Sequence, residues 1–123
     1  MSANRRSTTG AIGEQLAAEH LTRRGFQILE RNYRSRWGEL DIIACDRQRI
    51  VFCEVKCRIA ARELRDPLES VHAQKRAKLR RMAARWLAER DHPRVNQLRF
   101  DAIGVTLALD GRLLRLEHLE NAF

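Results

Sequence analysis

No apolar run in the chain approaches the ~20 residues of a membrane-spanning helix, and nothing apolar follows the basic opening Met1-Ser2-Ala3-Asn4-Arg5-Arg6, as a secretory signal would require. A cytoplasmic location with no membrane partner is therefore the expectation. Cysteine is scarce: three residues, an odd number, with no CxxC pair. The spacing of Cys45, Cys53 and Cys57 fits no familiar zinc module. Cys53 and Cys57 read better as buried small hydrophobes. Internal repeats, low-complexity tracts and a second domain are also missing, and 123 residues suit one domain, 1–123.

What the chain has in excess is positive charge, 24 basic against 16 acidic residues for a net +8. Such an excess speaks of partners rather than fold, with nucleic acid first and an anionic membrane surface or plain solubility next. Arginine outnumbers lysine. It suits bidentate phosphate contact, although a high genomic G+C content gives the same bias.

The element order reads α-β-β-β-α-β-β. Residues 1–6 form a loose basic arm. Ser7-Thr8-Thr9 offers caps for a helix to about Arg24, with Gly25 as its stop. On that helix Gly10, Glu14, Ala17 and Leu21 share one side, and Ile12, Leu16 and His20 another. The small residues let the helix approach a sheet. Glu14 is either one of the groups aimed inward or a first-turn glutamate favouring the helix N-terminus. His20 reads as a packed or surface histidine.

Strand one spans 26–33. The basic loop Arg34-Ser35-Arg36-Trp37 follows, suited to phosphate contact and base stacking or simply exposed with Trp37 over the core edge. Residues 59–65 form a polar connection. Asp66 at N-cap and Pro67 at N1 open a helix to about Arg90, with Leu68, Val71, Leu79, Met82, Ala83 and Trp86 as its buried stripe. Lys75 falls in that stripe, about 40° from Leu79. It either snorkels or meets an anion. A strand over 98–107, an Asp110-Gly111 turn and a strand over 113–119 complete the chain. Asp101, acidic within an apolar strand, pairs with Arg99 or a helix arginine, or else joins a site.

The centre of the chain is a hairpin, Gly38 to Ala44 and Ile50 to Arg58, rich in Ile, Val, Phe and Leu. Alternation puts Glu39 and Asp41 on one face of the first strand. Phe52, Glu54, Lys56 and Arg58 share one face of the second; Val51, Cys53, Val55 and Cys57 take the other. Charge placed mid-strand among apolar residues costs several kcal/mol, roughly, unless it is paired or binds an ion. One resolution is a salt bridge from Lys56 to Glu54 or Asp41. The other is a divalent-metal site, with Asp41 and Glu54 as hard oxygen ligands to Mg²⁺ and Lys56 positioning a water. Asp41, twelve intervening residues and Glu54-x-Lys56 resemble the D-(D/E)xK signature of the restriction-endonuclease-like nuclease superfamily.

From about Gly10 to Phe123 the chain resembles the YraN-like family of small uncharacterised bacterial proteins. The matching pieces are Gly13-Glu14 with Ala17 and Leu21, Gly25-Phe26, Arg31-Asn32-Tyr33-Arg34, Gly38 to Ala44, and Val51 to Arg58. Lys75 with Leu79, Arg99-Phe100-Asp101 and Asn121-Ala122-Phe123 complete the match. The family usually has valine where Cys53 stands, and often a glycine in the connection after Arg58.

The resemblance implies a restriction-endonuclease-like α/β fold, a mixed β-sheet flanked by α-helices, close to archaeal Holliday junction resolvases. It implies a nuclease site in which Glu14, Asp41 and Glu54 hold Mg²⁺ or Mn²⁺ and Lys56 orients the water. Glu39 carries over as a family residue without an assigned role. Arg34, Arg36, Arg58 and Lys75 are the expected nucleic-acid contacts. The expected activity is endonucleolytic hydrolysis of DNA phosphodiesters, at branched or recombination structures, by a homodimer. The alternatives are a nucleic-acid-binding protein without turnover and an adaptor in DNA processing or uptake.

Overall fold

A computed structural model of the chain describes residues 8–61 and 73–123. The basic arm 1–6, the Ser7 cap, the later part of the 59–65 connection, the Asp66-Pro67 helix start and stripe residues Leu68 and Val71 lie outside the described residues. Within them the elements are α1 (Thr8–Arg23), β1 (Gln27–Ser35), β2 (Gly38–Cys45), β3 (Arg49–Ile59), α2 (Ala73–Glu89), β4 (Gln97–Leu107) and β5 (Leu113–Leu119). The five strands form one sheet in chain order, antiparallel except for the β3–β4 pair. That parallel pair is joined through α2, the crossover that parallel neighbours require.

Each helix covers one face. On the α1 side Ala17, Leu21, Ile42, Val51, Cys53, Ile103 and Val105 are buried together. On the α2 side Leu40, Ile43, Phe52, Leu79, Met82, Trp86 and Phe100 form the second core. The helical spacing of Leu79, Met82, Ala83 and Trp86 is the buried stripe read from sequence. β3, packed on both faces, accordingly carries an apolar run rather than a polar alternation at Ile50–Cys53.

α1 stops as expected. Gly25 takes φ +92°, and its N–H bonds to Thr22 O while that of Phe26 bonds to Leu21 O, both at 3.0 Å. This paired pattern satisfies the last carbonyls of the helix. The close approach to the sheet is made at Gly13, where a Cβ would lie 2.7 Å from Cys57 Cβ. Glu14 is the next residue. At the far end of the hairpin, Asp46 Oδ1 accepts the N–H groups of Gln48 and Arg49, both at 2.9 Å, and closes the β2–β3 turn.

Two readings change in the first hairpin. β1 continues to Ser35, so the loop shrinks to Arg36-Trp37, and Arg34 faces Glu39 across the strands. Alternation also fails once. Arg31 reaches Gln15 and Glu14 on the α1 side, whereas Tyr33 donates its hydroxyl to Glu89 of α2 at 2.7 Å. Between them Asn32 adopts φ +59°, a left-handed conformation that asparagine tolerates. On β2, Leu40 and Ile42 likewise pack on opposite sides. Both strands turn over at the level of Asn32 and Asp41, so strict alternation fails from there on, although the Glu39 and Asp41 carboxylates still come together as their shared face suggested.

Candidate metal-binding and catalytic site

β2 and β3 pair only from Ile42↔Cys53 to Cys45↔Ile50. Beyond Ile42 they separate, while β3 stays paired with β4 along its full length to Ile59↔Leu107. The parting leaves β3 amides on that side without a strand partner, and a buried amide must find one. Asp41 supplies it: its Oδ2 accepts the N–H of Val55 at 2.7 Å. One carboxylate oxygen thus fixes the rotamer of Asp41 at the mouth of the gap.

Three carboxylates converge there. Oxygens of Glu14, Glu39 and Asp41 lie within 4.8 Å of one another. Glu14 arrives from α1 and is only 5% exposed. The Arg31 guanidinium stands 3.9 Å from it. Glu39 is met by the exposed Arg34 at 3.5 Å. Three hard oxygen donors so close together repel one another unless a cation stands among them, and their number and chemistry suit Mg²⁺ or Mn²⁺. The donor set therefore fits a divalent ion.

Glu54 sits beside this group in a different company. Lys75 Nζ lies 2.6 Å from its Oε1 and Lys56 Nζ 3.6 Å from the same oxygen. Lys75 is the stripe lysine of α2, and of its two sequence readings it takes the anion rather than the snorkel. Glu54 also belongs to the salt bridge with Lys56. Burial presses Lys75 below the ordinary lysine range; the Glu54 carboxylate resists, and the neighbouring Lys56 amine adds to the depression. Burial works against the charge of Lys56 too, but the bond with the Lys75 amine and the Glu54 and Asp41 carboxylates outweigh it, leaving Lys56 above the ordinary range. Two amines on one carboxylate share protons as a pair.

Glu39 of the first group and Glu54 with Lys75 of the second line a cavity of about 260 Å³, together with Trp37, Lys78, Leu79 and Met82. Its lining joins apolar side chains to charges of both signs. Arg36 stacks its guanidinium 4.8 Å from the Trp37 ring centre at the hairpin tip. Arg58 lies four residues beyond Glu54 on β3, in register with Thr106 of β4.

Two features lay beyond sequence reasoning. Glu39 joins the tight carboxylate group; the sequence set it on the face of Asp41 and the resemblance carried it over, but neither gave it a ligand role. Asp101 is wholly buried and paired with Arg99, one of the readings open for it, but it also accepts from His118 Nε2 at 2.7 Å and from the Asn121 N–H at 3.0 Å. His118 in turn meets His20 Nε2 at 3.0 Å through its Nδ1. An ionised carboxylate can only accept, so Nε2 of His118 holds the proton. This network ties β5 and the C-terminal tail to α1. Cys53 is fully buried as expected, and burial pushes its thiol well up, while Cys57 is half-buried against Gly13.

Among the described residues no helix is long and apolar enough to cross a membrane. Residues 13–105 match the family model described as "Uncharacterised protein family UPF0102". A UPF0102 protein of Frankia casuarinae is 46% identical over 115 residues, covering 93% of this chain and 94% of the relative. One from Frankia alni is 42% identical over the full length of both chains, 123 residues. A third, from Nocardia farcinica, is 45% identical over 114 residues, covering 93% of this chain and 87% of its own.

Proposed function

The chain belongs to the uncharacterised protein family UPF0102, the YraN-like proteins, and we propose that this member hydrolyses DNA phosphodiester bonds with the help of Mg²⁺ or Mn²⁺. The observation that carries the reading is the meeting of the Glu14, Glu39 and Asp41 oxygens within 4.8 Å, next to a carboxylate held by two lysines. We read the mixed sheet and its two helices as the restriction-endonuclease-like fold, near the archaeal Holliday junction resolvases.

In this reading Glu14, Glu39 and Asp41 hold the ion, with Glu54 at its border. The ion, when bound, neutralises charge on the scissile phosphate and lowers the pKa of water. The chain's own residues do the rest. The Val55 N–H keeps Asp41 pointed at the cluster. Glu54 anchors the Lys75 and Lys56 amines. Lys56, charged, holds the phosphate or orients the attacking water, and the depressed Lys75 is the better proton acceptor of the two. Arg34, Arg36 and Arg58 contact the DNA backbone, and Trp37 offers a stacking face beside the cavity.

The test is a digestion panel of linear, nicked, branched and single-stranded DNA with Mg²⁺ or Mn²⁺. Wild-type protein should cleave at least one substrate, and a Glu54→Ala/Lys56→Ala double variant should not. A wild type no more active than the double variant across the panel would falsify the reading. A second reading, binding without turnover, is favoured by the 2.6 Å hold of Lys75 on Glu54. It expects binding whose log affinity falls with log salt by roughly 0.9 per phosphate neutralised, unchanged by the site alanines.

A further inference from the structure

The cavity between the tip of the first hairpin and α2 borders both halves of the site. Glu39 in its wall belongs to the carboxylate group, and Glu54 and Lys75 belong to the carboxylate held by two amines. Trp37, half-buried, lines it from the hairpin tip. Leu79 and Met82, buried members of the α2-side core, line it from the helix. Gly38 lines it too. A Cβ there would stand 3.9 Å from Met82 Cε, in contact, so glycine leaves the space between β2 and α2 open.

At about 260 Å³ this space is smaller than the roughly 300–1,000 Å³ that enclose a drug-sized molecule, and it suits one planar ring system. Its lining sets an aromatic ring and apolar side chains beside two lysines, Lys75 and Lys78. That combination matches a flat base whose sugar carries phosphates. Arg36 lies over the Trp37 ring, 4.8 Å from its centre, and extends the platform with a planar cation. Inside a duplex both faces of a base are covered by its neighbours, so the cavity can take only a base that has left the stack. Leaving costs least where the base is already unpaired. We infer that the cavity takes one unpaired nucleobase of a DNA strand against Trp37, with the flanking phosphates on Lys78 and Arg36.

This rests on the reading of the site as one that acts on DNA, and it narrows the substrate. Because Glu39 and Glu54 border the cavity, a base held there belongs to the nucleotide at, or next to, the phosphate that meets the carboxylate group. The substrate class is therefore DNA with an unpaired nucleotide beside the scissile bond, and a continuous duplex is a poor ligand. Glu39 is engaged with the other carboxylates and Glu54 with two lysines, which leaves the base to be held by its flat faces. Stacking tolerates every base, since each has a π-face. Trp37 thus selects for DNA structure and not for sequence.

Fluorescence anisotropy on the full chain in ~0.1 M salt tests it. Ca²⁺ replaces Mg²⁺, since it takes the same oxygen donors in looser geometry, and denaturing gels show the probes intact. The probes are a fully paired DNA duplex, the same duplex with one bulged nucleotide, and that bulge with its base removed to leave an abasic sugar. Wild type should bind the intact bulge about tenfold more tightly than either other probe. Trp37→Ala should lose this preference and keep its affinity for the paired duplex. Lys78→Ala should lower the dependence of log affinity for the bulge on log salt by roughly 0.9, one phosphate contact. The abasic comparison uses wild type alone, so a folding defect in a variant does not decide it. Equal affinity for the intact and abasic bulges, equal affinity for bulge and paired duplex, or no binding to any probe would overturn the inference, even in a protein that cuts DNA. A preference for the intact bulge in a protein that cleaves nothing in the digestion panel would remove hydrolysis and uphold capture of the base.

Discussion

Removing the Asp101 carboxylate should cost this protein more than any exposed charge could. Asp101 is wholly buried and accepts two Arg99 nitrogens at 3.0 Å, His118 at 2.7 Å and the Asn121 amide at 3.0 Å. With alanine in its place the Arg99 guanidinium, itself 8% exposed, keeps among the described residues the half-exposed Glu120 at 3.6 Å and the Phe26 ring at 5.7 Å. Breaking a buried pair by deleting one partner costs about 3–5 kcal/mol. Asp101→Asn keeps the shape and some acceptor capacity, so about 1.5–3 kcal/mol is expected, the range for a hydrogen bond to a charged group. For a domain of 123 residues each kcal/mol moves Tm by roughly 3–5 °C, so Asp101→Ala should melt about 10–20 °C lower.

The pH dependence has a definite sign. Burial opposes the Asp101 charge, but the bonds from His118, Arg99 and Asn121 outweigh it and hold the carboxyl below its ordinary value of 3.8. Between the depressed value and 3.8 the unfolded chain binds a proton that the folded chain does not. Stability from this group is therefore complete above that window and is lost as pH falls through it. Urea titrations of wild type and Asp101→Asn should show a constant gap at neutral pH that narrows below about pH 4. A loss under ~1 kcal/mol for Asp101→Ala at pH 7, or a gap that widens in acid, would refute the reasoning.

Gly13→Ala should lower Tm: its methyl would sit 2.7 Å from Cys57 Cβ and 2.8 Å from Sγ, an overpacking cost of about 1–3 kcal/mol against about 1 kcal/mol gained in helix propensity. Thermal melts check it, and adding Cys57→Gly, which deletes both obstructing atoms, should recover part of the loss. Trp86→Ala should cost about 3–5 kcal/mol in urea unfolding, because the indole is 2% exposed, meets Phe52 edge-on and donates to Glu30 at 2.8 Å; a loss below ~1.5 kcal/mol would contradict that packing. Glu39→Gln should weaken Mn²⁺ binding by calorimetry at least about tenfold, as a member of the three-carboxylate group. Wild-type affinity in Glu39→Gln together with lost affinity in Glu54→Gln would move the ion to Glu54.

Local periodicity and local punctuation were legible in the chain. The stripe Leu79, Met82, Ala83 and Trp86 followed from helical spacing, the end of α1 from Gly25, and the element order from alternating apolar runs and turn signals. These depend on neighbours a few residues away, which a sequence displays directly. Lys75 and Asp101 could be flagged as charges out of place, since burial must compensate them. Their partners, Glu54 and His118, could not all be named, because those contacts join residues far apart in the chain.

The rest was decided in three dimensions. Asn32 and Asp41 turn two paired strands over together, and no period-two rule contains such a step. Glu14 and Glu39 come together because Gly13 lets a helix touch β3 at the place where β2 leaves it. Sequence by itself determined which residues carry charge into apolar surroundings; only the tertiary structure decided which of those charges face one another, since desolvation is a property of a residue and pairing is a property of a place.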